Sequence, residues 1–314
     1  MVQYLIRRVF LSILTALLVA TIVFSLVHLV PGNPAVVILG IQASPADIRT
    51  LDAELHLNLP LWRQYLDWLG SLVQGHLGTS MIFHEPVTTL LFQSLPRTIE
   101  LSLVALVLAI LIGVPIGVLA GAREKGMWDR FSLGMSTGGV VLPGFVIGLL
   151  LIYVFTYRLH WLAITGVAHT GTAAWINPLA YVLPGLTLAI GLASPLMRVL
   201  RGEVITVASS DYIRTMRMMG ISERRLLWKW VFKNALIPSI TFLGTQLGLL
   251  MGGVVIIENI FSIPGMGNLI VTGIFNKDYP VVQGAILVMA FMVIIVNLLV
   301  DLLYAVIDPR ISYR

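Results

Sequence analysis

The sequence predicts an all-α integral membrane protein with six transmembrane helices. Two features of composition and one of pattern predict it. Hydrophobic residues make up 58% of the 314-residue chain and charged residues only 11%, against about 25% charged in an ordinary soluble domain. A soluble chain of this length could not cover its surface with so few charges. Mean hydropathy, at +0.94, agrees. The pattern is a set of six apolar stretches, 9–30, 98–121, 133–157, 179–200, 236–257 and 281–305, each nearly free of charge. Each is long enough for the roughly 20 helical residues that cross about 30 Å of hydrocarbon. The expected organisation is a first span with a long excursion (1–97), a five-span core (98–305) and a short tail (306–314).

The first span follows Arg7 and Arg8 and superficially resembles a secretory signal. Its apolar run exceeds the roughly 7–15 residues of a signal h-region, and no clear small-x-small cleavage site closes it, so it reads as a retained helix. Sorting Lys and Arg over alternate connections places 15 on the side of the termini and 5 on the other. The positive-inside rule then puts both termini in the cytoplasm. All six histidines, His28, His56, His76, His84, His160 and His169, fall on or toward the outer side. In the outer excursion 31–97, Ser44-Pro45 reads as a helix start. Trp62, Tyr65, Leu66, Leu69 and Val73 follow at helical spacing and predict an amphipathic helix along the outer interface.

Within the spans, glycines recur four apart: Gly113, Gly117 and Gly121 in the second, Gly134 with Gly138 and Gly144 with Gly148 in the third, and Gly244, Gly248 and Gly252 in the fifth. Such spacing makes a groove that another backbone can enter. It serves either tight packing within the chain or a face that meets a second subunit or lines a path. The expected path follows the third and fifth spans, through Pro143, Gly144 and Gly148 and through Gly244, Gly248, Gly252 and Gly253. Pro115, Pro143, Pro184 and Pro195 can each kink a span. Intramembrane ionisable groups are few: Asp301 one turn after Asn297, with His28 and Glu258 at outer ends. They do not form the chain of buried titratable groups that a proton-coupled carrier uses.

Enzyme chemistry lacks a constellation. The chain has no cysteine, which excludes disulfides, thiolate nucleophiles and Cys-ligated metals. No HExxH or GxSxG occurs, and the histidines lack ligand spacing. Gly70 to Gly75 and Gly121 to Gly126 resemble half a phosphate loop but continue as His76-Leu77 and Met127-Trp128. A phosphate loop needs Lys followed by Ser or Thr there. The chain therefore carries no cofactor or nucleotide site of its own, and no metal site is expected.

The basic connection 201–235 is the most informative segment. A helical run ends at Gly220, a residue suited to a left-handed stop. Ser222 reads as the N-cap of a second helix containing Leu226, Leu227, Trp230 and Val231. The result is a helix–Gly–helix element projecting into the cytoplasm. Lying against anionic lipid heads is one use for it. Against that, Ile213, Met216, Met218, Met219 and Trp228 would expose apolar surface to water, and Met-rich surfaces suit protein docking.

Here the sequence resembles the permeases of ABC importers, in the dipeptide, oligopeptide and nickel branch. The matching strings are Asp211-Tyr212-Ile213-Arg214-Thr215-Met216-Arg217, Gly220, Ser222 and Asn234-Ala235-Leu236-Ile237-Pro238. Met216 stands where the pattern has Ala. Further strings are Pro31-Gly32-Asn33-Pro34, Gly75-His76-Leu77-Gly78-Thr79-Ser80, Pro86-Val87, residues 252–267, Asp278 to Gln283, and Asp301 to Asp308-Pro309-Arg310. The resemblance implies a type I ABC importer permease in the inner membrane of a bacterium or archaeon. In it, residues 211–222 form a coupling helix seated on a cytoplasmic ATPase. Asp211, Tyr212, Arg214, Thr215, Arg217, Gly220, Ser222 and Glu223 would make that contact. Implied partners are a homologous second permease, two ATPases that hold the ATP and Mg, an external solute-binding protein and membrane lipid, with no nucleic acid. The excursion 31–97 and the loop 258–280 would face the binding protein. Peptide is the implied cargo, with glutathione or a nickel chelate as alternatives in the same branch. A secondary carrier or channel, or a membrane enzyme, would need the buried titratable or polar cluster that the sequence lacks.

Overall fold

The computed structural model describes residues 2–29, 36, 39, 43–54, 58–162 and 178–307. The strings Pro31 to Pro34 and Asp308 to Arg310 lie outside the described residues, as do His56, His169 and the side chains of His28 and Asp301. The described part is built from helices, with one isolated antiparallel bridge between Thr79 and Pro86. In chain order they are α1 (Val2–Leu29), α2 (Pro45–Glu54), α3 (Leu61–Val73), α4 (Val87–Ala122), α5 (Met127–Val141) and α6 (Gly144–Leu151). Then follow α7 (Pro178–Ala208), α8 (Asp211–Met218), α9 (Glu223–Ile260), α10 (Met266–Phe275) and α11 (Tyr279–Ile307). Residues 152–158 after α6 and 226–231 inside α9 wind as π-helix.

Among the described residues, five helices, α1, α4, α7, α9 and α11, are long and apolar enough to cross a membrane. The third expected span differs. Instead of one helix over 133–157 there are two, α5 and the arm Gly144–Arg158, bent by 109° at Leu142-Pro143. Pro143 lacks an N–H and crowds the residue before it, so Leu142 leaves the helix for an extended conformation (φ −79°, ψ 125°). Gly138 and Gly139, poor helix formers, precede the break by one turn. Pro115, Pro184, Pro195 and Pro238 sit inside continuous helices. The second and fifth spans are also longer than expected, because α4 begins at Val87 and α9 at Glu223.

The chain forms two compact units. One comprises residues 1–96 and 264–294. There Asp47 N–H donates to Ser44 Oγ at 3.2 Å and Ser44 Oγ donates back to the Asp47 carboxylate at 2.8 Å, which starts α2 where Ser44-Pro45 predicted. The expected amphipathic helix is α3. Its Tyr65 and Trp68 rings meet Phe24 of α1 at centroid distances of 5.3 and 5.5 Å, and the Tyr65 hydroxyl bonds Thr21 Oγ1 at 2.9 Å. Part of the apolar stripe thus packs on α1, while Trp62, Leu66 and Val73 stay exposed. Asp278, 1% exposed, organises the 79–86 turn. Its carboxylate accepts from Ser80 Oγ at 2.5 Å, Met81 N–H at 3.2 Å and Ile82 N–H at 3.3 Å.

The other unit comprises residues 97–263 and 295–314, with α7 at its centre. A Cβ on Gly113 would lie 3.4 Å from Ala193 Cα, one on Gly117 3.1 Å from the Met197 carbonyl, and one on Gly121 2.8 Å from the Arg201 carbonyl. The glycines of α4 therefore let its backbone lie directly on α7. This is the packing use of the repeat.

Candidate functional site

α8 and the start of α9 form a hairpin held on the ends of three long helices. α8 follows Ser210, which is extended (φ −66°, ψ 151°). Ile213 is fully buried among Val118 of α4, Leu200 and Val204 of α7, and Val231 and Ala235 of α9. One apolar side chain thus ties α8 to three helices at once. The hairpin ends of the motif also meet, because Asn234 Nδ2 donates to the Tyr212 hydroxyl at 3.1 Å and to the Trp230 carbonyl at 2.9 Å.

The turn is closed by backbone geometry and by charge. Gly220 has φ +81°. Its N–H donates to the Arg217 carbonyl at 3.0 Å, and Ile221 N–H to the Met216 carbonyl at 3.3 Å. These two bonds make a Schellman stop, which fulfils the expected role of Gly220. Ser222 then begins α9 through its carbonyl, which accepts from Arg225 and Leu226 N–H at 2.9 and 3.0 Å. Its hydroxyl makes no capping bond. Across the turn, the Arg217 guanidinium donates two bonds to the Glu223 carboxylate, the longer at 3.2 Å. That hydrogen bonding, with the carboxylate charge, pushes the Arg217 pKa further up.

All eight residues expected to couple, Asp211, Tyr212, Arg214, Thr215, Arg217, Gly220, Ser222 and Glu223, are exposed. Met218 and Met219 at the tip are 81% and 74% exposed. The element therefore has a buried apolar root and an exposed tip of mixed basic and thioether character. The sequence counted Ile213 among the apolar residues exposed for docking, whereas it is fully buried as the anchor, and Asn234 gave no sign of being the clasp. Both stood inside quoted motif strings, but their pairing is a matter of three dimensions.

The residues expected along a path divide into two kinds. Gly244 is buried, and a Cβ there would sit 2.1 Å from Val300 Cγ1. Gly148 is buried against Thr187 and Phe261, with Cβ distances of 3.2 and 3.5 Å. Gly253 faces Leu188 at 3.5 Å, and Gly248 is half-buried. Pro143, Gly144 and Gly252 are exposed, and the two glycines have open space at the Cβ position. Beside the 109° bend an open apolar cavity of about 490 Å³ is lined by Gly134, Gly138, Leu142, Ile147 and Leu151, among others.

Residues 113–313 match the family described as binding-protein-dependent transport system inner membrane component, and residues 1–102 match the N-terminal region of that membrane component. The chain belongs to this family. Among its relatives, a probable peptide ABC transporter permease of Sinorhizobium fredii is 38% identical over 99% of both chains. The glutathione transport system permeases of Escherichia coli and Pectobacterium atrosepticum are each 36% identical over 100% of both chains. Solved structures agree on the fold. A chain of the MetNI methionine ABC transporter superposes with a TM-score of 0.56 at 14% identity, over 70% of this chain and 96% of that one. A chain of an amino acid ABC transporter gives 0.50 at 16% identity, over 69% and 94%. This family member is a multi-pass inner-membrane permease.

Proposed function

We propose that the chain is one of two homologous permease subunits of an ATP-driven importer, and that it carries peptides handed over by an external solute-binding protein. The observation that carries the reading is the α8–α9 hairpin. It combines an exposed tip with a root that joins α4, α7 and α9 through Ile213. Two ATPase subunits hold and hydrolyse the nucleotide, and one of them receives the tip in a groove. Residues Asp211 to Glu223 make that contact from the cytoplasmic side, where both termini also lie. A push on the tip then moves three spans together, because Ile213 cannot shift without its neighbours in a close-packed core. The chain acts as a transmission and a passage, and performs no hydrolysis itself.

Peptide cargo is supported by the 38%-identical relative described as a probable peptide permease. Glutathione, itself a tripeptide, is the second reading, favoured by end-to-end matches to glutathione permeases at 36% identity. The path runs along α6 and α9, beginning at the exposed Pro143, Gly144 and Gly252, where the two glycines leave open space. The full complex, reconstituted in vesicles, tests the reading with radiolabelled dipeptide and glutathione. ATP-dependent accumulation that falls at least tenfold in Gly220→Val supports it. Undiminished accumulation with no ATPase bound defeats it.

A further inference from the structure

An ion pair between a buried carboxylate and a partly exposed guanidinium lies outside everything the hairpin uses. Asp129, near the start of α5, is 4% exposed. Its carboxylate receives two bonds from the Arg201 guanidinium of α7, the longer at 3.2 Å. It also accepts the Lys125 N–H at 2.7 Å. Lys125 has a left-handed backbone (φ 62°), so Asp129 also holds the turn that leads into α5.

The position of Arg201 matters. It lies between Leu200 and Val204, the two α7 residues in the buried cluster with Ile213. The same two turns of α7 therefore hold the root of the hairpin and the start of α5. Beyond the pair, α5 meets α7 along a face of Ser132, Ser136 and Gly139, at helical spacing from Asp129. A Cβ on Gly139 would sit 1.9 Å from Ser194 Oγ, so the backbones run close. The Ser132 and Ser136 hydroxyls are buried and make no hydrogen bond to any described residue. At its other end α5 stops where the span bends by 109° at Leu142-Pro143, beside the open cavity.

We infer that Asp129 and Arg201 are positioning residues for energy coupling: they make α5 follow α7 when the hairpin is displaced. The inference rests on the proposed function. A bidentate pair is stiff in direction as well as distance. The small side chains of the seam let the two backbones lie close, and the unbonded Ser132 and Ser136 hydroxyls add no polar tie of their own between α5 and α7. The 109° break lets α5 shift without dragging the arm beyond it. Motion delivered at Ile213 thus reaches α5 through this charged link, beside the hydrogen bond that Ser194 Oγ of α7 donates to the Met135 carbonyl of α5 at 3.2 Å.

The test uses the assembled importer carrying Asp129→Asn with Arg201→Gln. The double variant leaves no uncompensated charge, whereas Arg201→Gln alone leaves the buried Asp129 carboxylate unpaired. Because the chain has no cysteine, Ser136→Cys supplies its only thiol. Three readouts are taken on this chain: complex assembly, uptake of labelled dipeptide per ATP hydrolysed, and maleimide labelling of Cys at 136 with and without ATP. The double variant is expected to assemble, hydrolyse ATP within twofold of the parent, and lose about tenfold in uptake per ATP. Labelling at 136 is expected to respond to ATP in the parent and not in the double variant. Parent-like uptake per ATP or ATP-responsive labelling in the double variant overturns the inference. So does loss of assembly in the double variant, which would make the pair purely structural. A parent complex without ATP-dependent uptake defeats the proposed function instead, and is recognised before any variant is made.

Discussion

Ile213→Ala separates the root of the hairpin from its tip. Ile213 has no exposed surface and shares one buried cluster with Val118, Leu200, Val204, Val231 and Ala235. The change removes three carbons. At about 0.8 kcal/mol per buried CH₂ the lost transfer free energy is about 2.4 kcal/mol. The cavity left behind brings the total to about 3–4 kcal/mol, inside the range of about 2–5 kcal/mol for such truncations. At about 1.4 kcal/mol per factor of ten, the detached population of α8 rises by about two to three orders of magnitude. Hydrogen exchange over 211–218 in the purified complex reads this directly, as an equal loss of amide protection. The ATPases are expected to stay bound, because the tip is untouched, while ATP-driven uptake falls. Met218→Ala is the converse: at 81% exposure its effect on chain stability stays within about 0.5 kcal/mol, but ATPase retention on purification drops. Parent-like protection in Ile213→Ala, or ATPase retention unchanged by Met218→Ala, refutes the division into root and tip.

Four other substitutions have outcomes set by geometry. Gly121→Ala places a Cβ 2.7 Å from Val204 and 2.8 Å from the Arg201 carbonyl, so α4 must part from α7; a melting temperature several degrees below the parent is expected, whereas Gly134→Ala, with open space around it, melts as the parent does. Asp278→Ala removes the acceptor for Ser80, Met81 and Ile82, at about 1–3 kcal/mol per buried group left unsatisfied; limited proteolysis is expected to cut within 79–86 only in the variant. Gly220→Asn keeps the left-handed turn that Asn tolerates, so its uptake stays within a few-fold of the parent, in contrast to the β-branched Gly220→Val.

Much of the architecture follows from composition, because a helix that must satisfy its own backbone in lipid needs a long apolar run, and such runs can be read directly. The third span escaped that logic. Its apolar length is sufficient, but Leu142-Pro143 after Gly138-Gly139 breaks it, and no hydropathy window registers a bend. The stop at Gly220 was legible because a positive φ favours one residue type so strongly. The ion pair of Asp129 with Arg201 was not, since 72 residues separate partners that only packing brings together. The glycine repeats were ambiguous for a similar reason. Spacing marks a smooth face, and only the neighbour decides whether Gly121 meets Val204 or Gly134 meets open space.

The central claim is that the exposed tip of the α8–α9 hairpin is where ATPase work enters the membrane-spanning helices. A photo-crosslinking amino acid at position 218, irradiated in the assembled complex and followed by mass analysis of the adducts, tests it most directly. The account predicts one dominant adduct with an ATPase subunit, strengthened or weakened by nucleotide. Adducts with lipid alone, or with the external binding protein, would contradict it.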